Sequence, residues 1–67
     1  MEIEDGETFD HEDITVYGEI NNYGTISNGT FDKAVTNKGT IDNGTFNGTV
    51  TNEFGCNIND GTFNGKL

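Results

Sequence analysis

The residues best suited to chemistry lie near the N-terminus, where positions 1–13 hold seven of the twelve acidic residues. Asp10, Glu12 and Asp13 flank the only histidine, which is His11. Such a mixture could hold a metal ion, and carboxylate oxygens alone are ligands that calcium prefers. The chain has neither an EF-hand loop nor the Gly-Gly-x-Gly-x-Asp nonapeptide. We therefore interpret His11 as a solvated polar residue, and we expect no metal and no cofactor.

The other reactive side chains form no recognisable catalytic arrangement. Ser27 is the only serine, and it lies where Gly and Asn residues predict a turn. Cys56 is the only cysteine, so an internal disulfide is excluded, and we interpret it as a small buried residue. No pair of carboxylates has the environment that acid–base catalysis requires. We therefore expect that the protein is not an enzyme.

The charge balance argues against two classes of partner. The net charge is −9, from 12 acidic and 3 basic residues. With so few lysines and arginines, we do not expect the chain to bind nucleic acid through its phosphates or an anionic membrane surface through its headgroups. No apolar segment approaches the length of a membrane span, so membrane insertion is not expected either.

The large apolar residues follow a repeat, and the fold that this repeat specifies must position the polar residues described above. They form three columns spaced by 15 residues, with a spacing of 17 across one shared insertion. The first column is Val16, Phe31, Phe46 and Phe63, the second is Ile20, Val35, Val50 and Leu67, and the third is Ile26, Ile41 and Ile58. Because all three columns contain the same insertion, the period belongs to the whole unit.

The spacing within one unit decides between the possible folds. Successive apolar residues stand six, five and four positions apart, which a helix of 3.6 residues per turn does not produce. Asn-Gly pairs favour hairpins, but Asn47-Gly48 lies too close to its neighbouring turns for paired strands between them. The sequence predicts an all-β, single-stranded, three-faced β-solenoid (β-helix) with about 15 residues per coil and short parallel strands.

Small and polar residues complete the predicted coil. Side chains alternate in a strand, so glycines two positions before the core residues should face inward and leave room for them. These are Gly18, Gly24, Gly29, Gly39, Gly44, Gly48, Gly61 and Gly65. An outward threonine ladder, a possible contact face, is predicted at the positions before the first column. Its members are Thr15, Thr30, Thr45 and Thr62.

The repeat also divides the chain. Residues 1–15 are predicted to be an acidic N-terminal cap or a degenerate first coil, with a disordered tail as the alternative. Residues 16–67 are predicted to be the solenoid repeats. Leu67 completes the second column without a following coil, so its strand edge is expected to self-associate, most simply as a two-fold dimer.

The unit V-T-N-x-G-T-I-x-N-G-T-F-x-G-x-V, which covers residues 16–67, resembles Gly/Asn/Thr-rich β-solenoid repeats of bacterial cell-surface and adhesin-like proteins. It is more distantly similar to pentapeptide-repeat proteins. The resemblance implies a rigid spacer or adhesive display scaffold, with a glycan or cell-surface ligand as possible partner. It implies an extracellular or cell-surface location within a longer secreted protein, whereas a complete chain of this length would be cytoplasmic.

Two other functions stay open. An outward threonine ladder is also what an ice-binding solenoid presents, although the positions after the first column are Tyr, Asp, Asn and Asn instead of Thr. The strong negative charge suggests an acidic solenoid that mimics nucleic acid, although the acids cluster at the N-terminus. Threonine is in any case a good strand residue that stacks on itself, so the ladder alone does not establish a function.

Overall fold

A computed structural model describes residues 1–67 and shows an all-β chain of ten short strands. The strands are β1 Glu2–Ile3, β2 Thr8–Val16, β3 Ile20–Asn22, β4 Thr25–Phe31, β5 Val35–Asn37, β6 Thr40–Ile41, β7 Thr45–Phe46, β8 Val50–Asn52, β9 Asn57–Ile58 and β10 Thr62–Phe63. All pairs are parallel, and the strands stack in about four turns spaced by about 15 residues. The predicted β-solenoid is therefore confirmed. No helix in the chain is long and apolar enough to cross a membrane.

Two sheets run along the stack. The four-stranded sheet has the order β1-β3-β5-β8, and the six-stranded sheet has the order β10-β7-β4-β6-β9, with β2 also paired to β4. Strand β4 is long enough to supply two segments of its coil, so it pairs with both β6 and β7. We call residues 1–19, 20–34, 35–49 and 50–66 coils 1 to 4. Each coil contributes one segment to the first sheet and two to the second.

The strand register stacks like residues on like. Val16, Phe31, Phe46 and Phe63 are partners in successive coils, as are Ile26, Ile41 and Ile58. The rings of Phe31, Phe46 and Phe63 lie nearly parallel, with centroids 5.1 and 5.0 Å apart. The buried apolar core is Ile3, Ile20, Ile26, Phe31, Val35, Ile41, Phe46 and Val50. Each coil supplies only a few of these side chains, so the core exists only through stacking.

Burial falls towards both ends of the stack. Leu67 was predicted to be a core residue, but it is 67% exposed at the open end of the stack. Val16, Ile58 and Phe63 are only half-buried, since each has a neighbour on one side. Ile3, which the column analysis did not include, is buried in coil 1.

The acidic N-terminal segment is paired with coil 2. Strand β1 pairs with β3, and β2 pairs with β4, with register shifts between Phe9 and Thr15. Phe9 therefore stands in register with Ile26, in the third column, while its ring also packs 5.4 Å from that of Phe31. Strand β2 crosses the boundary predicted at residue 15.

The glycines serve two purposes, of which the sequence suggested one. A Cβ on Gly44 would lie 3.1 Å from the ring of Phe46, as the inward interpretation requires. A Cβ on Gly39 would instead clash with the carbonyl oxygen of Gly24, so this glycine permits close approach of two coils. Gly18 has nothing within 4 Å, and its inward assignment was wrong because it lies on an exposed connection.

Coils 1 and 4 share a longer corner that coils 2 and 3 lack. In coil 1 the amide of Glu7 donates to the carbonyl of Glu4 at 2.9 Å, and in coil 4 that of Cys56 donates to Glu53 at 3.1 Å. Both turns contain a glycine with positive φ, 87° at Gly6 and 81° at Gly55. We call these segments, residues 4–7 and 53–56, the extended turns. The second of them accounts for the two-residue insertion that the sequence shows between Val50 and Ile58.

Candidate functional site

An asparagine ladder runs through the interior, and the sequence analysis did not predict it. Asn22 Nδ2 donates to Asn37 Oδ1 at 2.9 Å, and Asn37 Nδ2 donates to Asn52 Oδ1 at 2.8 Å. Asn22 and Asn37 are completely buried. Their spacing of 15 residues was visible in the sequence. It did not predict a buried ladder because asparagine is typical of corners that face solvent, and Asn22 and Asn37 stand two positions before Gly24 and Gly39.

The backbone fixes the direction of this interior ladder. The amide of Gly39 donates to Asn37 Oδ1 at 3.3 Å, so the oxygen must face that amide. Asn37 Nδ2 also faces the carbonyls of Gly39 and Asn57, at 3.3 and 3.1 Å, so that its two hydrogens are shared among three acceptors. No buried side-chain nitrogen or oxygen lacks a partner. The ladder therefore provides hydrogen-bond partners for backbone groups of the corner and for its own side-chain amides. Buried amides need such partners because they are shielded from water.

A second set of ladders lies on the outside. Asn64 Nδ2 donates to Asn47 Oδ1 at 2.8 Å, and Asn47 Nδ2 donates to Asp32 Oδ1 at 2.9 Å. Because an ionised carboxylate only accepts hydrogen bonds, Asp32 fixes the orientation of both amides. Asn59 bonds Asp42 and Asn28 bonds Asp10 in the same sense, at 2.7 and 2.9 Å. Several of the acidic residues thus begin a hydrogen-bonded chain between coils.

The predicted threonine ladder is continuous and borders a polar groove. Its members pair in register in the order Thr15, Thr30, Thr45, Thr62. The groove has a volume of about 260 Å³, contains no hydrophobic lining residue, and is bordered by Glu12, Asn28 and Asn43 beside three of these threonines, Thr30, Thr45 and Thr62. Thr30 and Thr45 are half-buried. The ladder therefore forms the wall of a shallow groove.

Threonine columns occur on the other faces as well. Thr8, Thr25 and Thr40 are paired in register in the second sheet, and Thr36 pairs with Thr51 in the first. Threonine is thus the common outward residue of this coil on every face. This distribution fits a residue selected for strand stacking, and it does not single out one contact face.

The most exposed aromatic side chain lies on an extended turn. Phe54 is 105% exposed at the tip of residues 53–56. Cys56, at the end of the same turn, is free and half-buried. The coils without this turn have Gly24 and Gly39 at the equivalent position. The turn thus allows a larger residue at that position and presents an apolar ring to solvent.

The residues first considered for chemistry are not brought together into a site. His11 is exposed and packs edge-on against Phe9, with ring centroids 4.8 Å apart. No group of three or more His, Cys, Asp or Glu side chains could hold a metal ion. Ser27 is half-buried in β4, within the sheet and not at a corner. The arrangement can offer hydroxyl, amide and carboxylate groups at fixed spacing, together with the ring of Phe54.

Fold and surface together define a β-solenoid with polar outer ladders. Comparison with known proteins finds no family model, curated protein or solved structure that matches the chain.

Proposed function

We propose that this chain is a non-catalytic display scaffold, a repeat segment of a bacterial surface protein whose coils hold exposed groups at fixed positions. The supporting observation is the extended turn at residues 53–56. Asn37 pairs with Asn52 before this turn and Thr40 pairs with Asn57 after it. One corner therefore accepts two extra residues while the sheets on both sides keep their register.

The dimensions favour display over the spacer function. The four coils measure 23 × 21 × 20 Å. Strands stack about 4.8 Å apart, so each coil adds little length, whereas a helix of the same number of residues would extend for about 100 Å. A single segment of this kind is as wide as it is long. It provides a rigid surface with many positions for exposed side chains or loops. It would act as a long spacer only if many coils followed one another.

A grafting experiment tests the scaffold. A short peptide tag flanked by Gly and Ser would be inserted between Phe54 and Gly55, and in a matched control between Thr45 and Phe46. We expect the first protein to keep its unfolding midpoint and to bind an antibody against the tag. The control should unfold, because the insertion separates two residues of the sheet. Equal loss of stability at both sites would contradict the proposal.

The adhesive part of the proposal needs a separate measurement. The folded chain, coupled to beads, would be screened on a glycan array beside the surface variants Phe54→Ala and Thr45→Lys. Binding that one variant removes, with the melting curve unchanged, would identify the contact face. If no glycan is bound, the scaffold would act through the modules it carries and not through its own surface.

Ice binding is the second candidate, because the threonines of one column are paired in register along the stack. Thermal hysteresis and ice recrystallisation would be measured for the wild type and for Thr45→Lys. Activity that is present in the wild type and lost in the variant would favour this function over the display scaffold.

A further inference from the structure

We propose that Asn43 is a site of spontaneous deamidation, and that the coil is already suited to the product. In this reaction the backbone nitrogen of Gly44 attacks Cγ of Asn43, and a succinimide ring forms. The Cγ–Nδ2 bond breaks, and ammonia leaves with the proton of the Gly44 amide. Water then opens the ring at Cγ, which gives aspartate, or at the main-chain carbonyl, which gives isoaspartate.

Four Asn-Gly pairs share the sequence that favours this reaction, but their asparagines are held differently. Three of them donate the side-chain amide to a neighbouring coil. These are Asn28 to Asp10 at 2.9 Å, Asn47 to Asp32 at 2.9 Å and Asn64 to Asn47 at 2.8 Å. Asn43 is exposed, and its Nδ2 donates to no other group. Its leaving group is therefore the only one of the four that no cross-coil hydrogen bond restrains.

The attacking atom is also in place at Asn43. The Gly44 N–H donates to Asn43 Oδ1 at 2.9 Å, so the nucleophilic nitrogen touches the side-chain carboxamide that it must attack. This hydrogen bond is local and joins no two coils. Ring closure can therefore begin without breaking the hydrogen bonds between coils, among them the bond from the Thr62 amide to the Gly44 carbonyl, at 2.8 Å.

The product already exists one coil further along. Asp60 precedes Gly61 as Asn43 precedes Gly44, and Thr62 pairs with Thr45 immediately after them. The Gly61 N–H donates to Asp60 Oδ1 at 2.8 Å, the same contact that Asn43 makes. Gly61 and Gly44 have φ of 141° and 139°. An aspartate at position 43 thus has a matched precedent in the same protein.

The change would alter the polar groove. Asn43 and Glu12 both border it, so aspartate at position 43 would give the groove a second carboxylate. Isoaspartate would have a different effect, because it lengthens the backbone by one methylene between β6 and β7. We therefore expect the aspartate form to keep the fold and the isoaspartate form to lose stability.

The test follows all four asparagines in one sample. The folded chain would be incubated in mildly alkaline buffer, and digests taken over time would be analysed by tandem mass spectrometry. We expect Asn43 to deamidate several-fold faster than Asn28, Asn47 and Asn64, and the four rates to converge in urea. If Asn47 or Asn64 reacted as fast as Asn43 in the folded chain, the proposal would be overturned.

Two variants test whether the deamidation rates depend on the hydrogen bonds between coils and not on the Asn-Gly sequence alone. Asp32→Ala removes the acceptor that holds Asn47 Nδ2, so the rate at position 47 should rise while that at Asn43 stays the same. An unchanged rate at Asn47, in a variant that circular dichroism shows to be folded, would overturn the explanation. Asn43→Asp should melt like the wild type, and a clear loss of stability would refute the claim that the coil is suited to the product.

Discussion

Coils 2 and 3 differ from coils 1 and 4 at one corner and in their neighbours. The middle coils have 15 residues, a glycine at the tight corner, and a fully buried asparagine and phenylalanine in each. The outer coils have the extended turns, Glu7 or Cys56 in place of that glycine, and a core that is partly open. The difference shows which parts of the unit are set by stacking and which are free to change. The residue type is restricted where a side chain packs between two coils, and it can vary where the side chain contacts only its own coil.

The largest expected effect is at the phenylalanine column. Phe46 is completely buried between two rings, so Phe46→Ala should lower the free energy of unfolding by about 3–5 kcal/mol. Phe63 is half-buried with one stacked neighbour, and Phe63→Ala should cost clearly less. Urea denaturation of both variants measures the difference. Equal losses would mean that the outer coil is packed as well as the middle ones.

The asparagine ladder should show the same contrast at a smaller scale. Asn37→Ala removes the partner of Asn22 and leaves corner backbone groups unsatisfied, so we expect a loss on the order of 2–4 kcal/mol. Asn52 is exposed and water can replace its contacts, so Asn52→Ala is the matched control. Thermal and urea unfolding would compare them. A harmless Asn37→Ala would show that the ladder does not stabilise the stack.

The tight corner predicts a third contrast. Gly39→Ala places a methyl group against the backbone of coil 2 and should cost about 1–3 kcal/mol through overpacking. Gly18→Ala has open space around it and should leave the unfolding midpoint unchanged. The two midpoints are read from parallel melting curves. Comparable destabilisation in both would show that contact between coils is not the cause, since the lower entropy of the unfolded alanine chain by itself favours the folded state.

The smallest effect is expected on the extended turn. The Phe54 side chain is fully exposed to solvent, so Phe54→Ser should change the free energy of unfolding by less than about 0.5 kcal/mol. Its melting curve should overlay that of the wild type. A larger loss would show that the ring packs against a group in solution, and the turn would then no longer serve as a neutral position for display.

The apolar columns could be predicted from the sequence because each face has room for one large residue per coil. The strand register then stacks that residue on the equivalent residue of the next coil. The interior asparagines have the same spacing, but asparagine is also common at solvent-facing corners. The residue type therefore did not indicate that these side chains are buried. Coil 1 was hard to recognise since the register shifts within β2 break its period. The two roles of glycine could not be separated either, because both need only the absence of a Cβ.

The amide ladders inside and outside the stack have opposite polarity. In the interior each Nδ2 points towards the later coil, from Asn22 to Asn37 to Asn52, and outside it points towards the earlier coil, from Asn64 to Asn47 to Asp32. Aligned amide dipoles reinforce one another along a hydrogen-bonded chain. The two sets of dipoles therefore oppose each other across the wall of the coil, and the outer set directs its positive end at a carboxylate. When such a stack lengthens, the inner and outer amides therefore offset part of each other's contribution to the axial dipole.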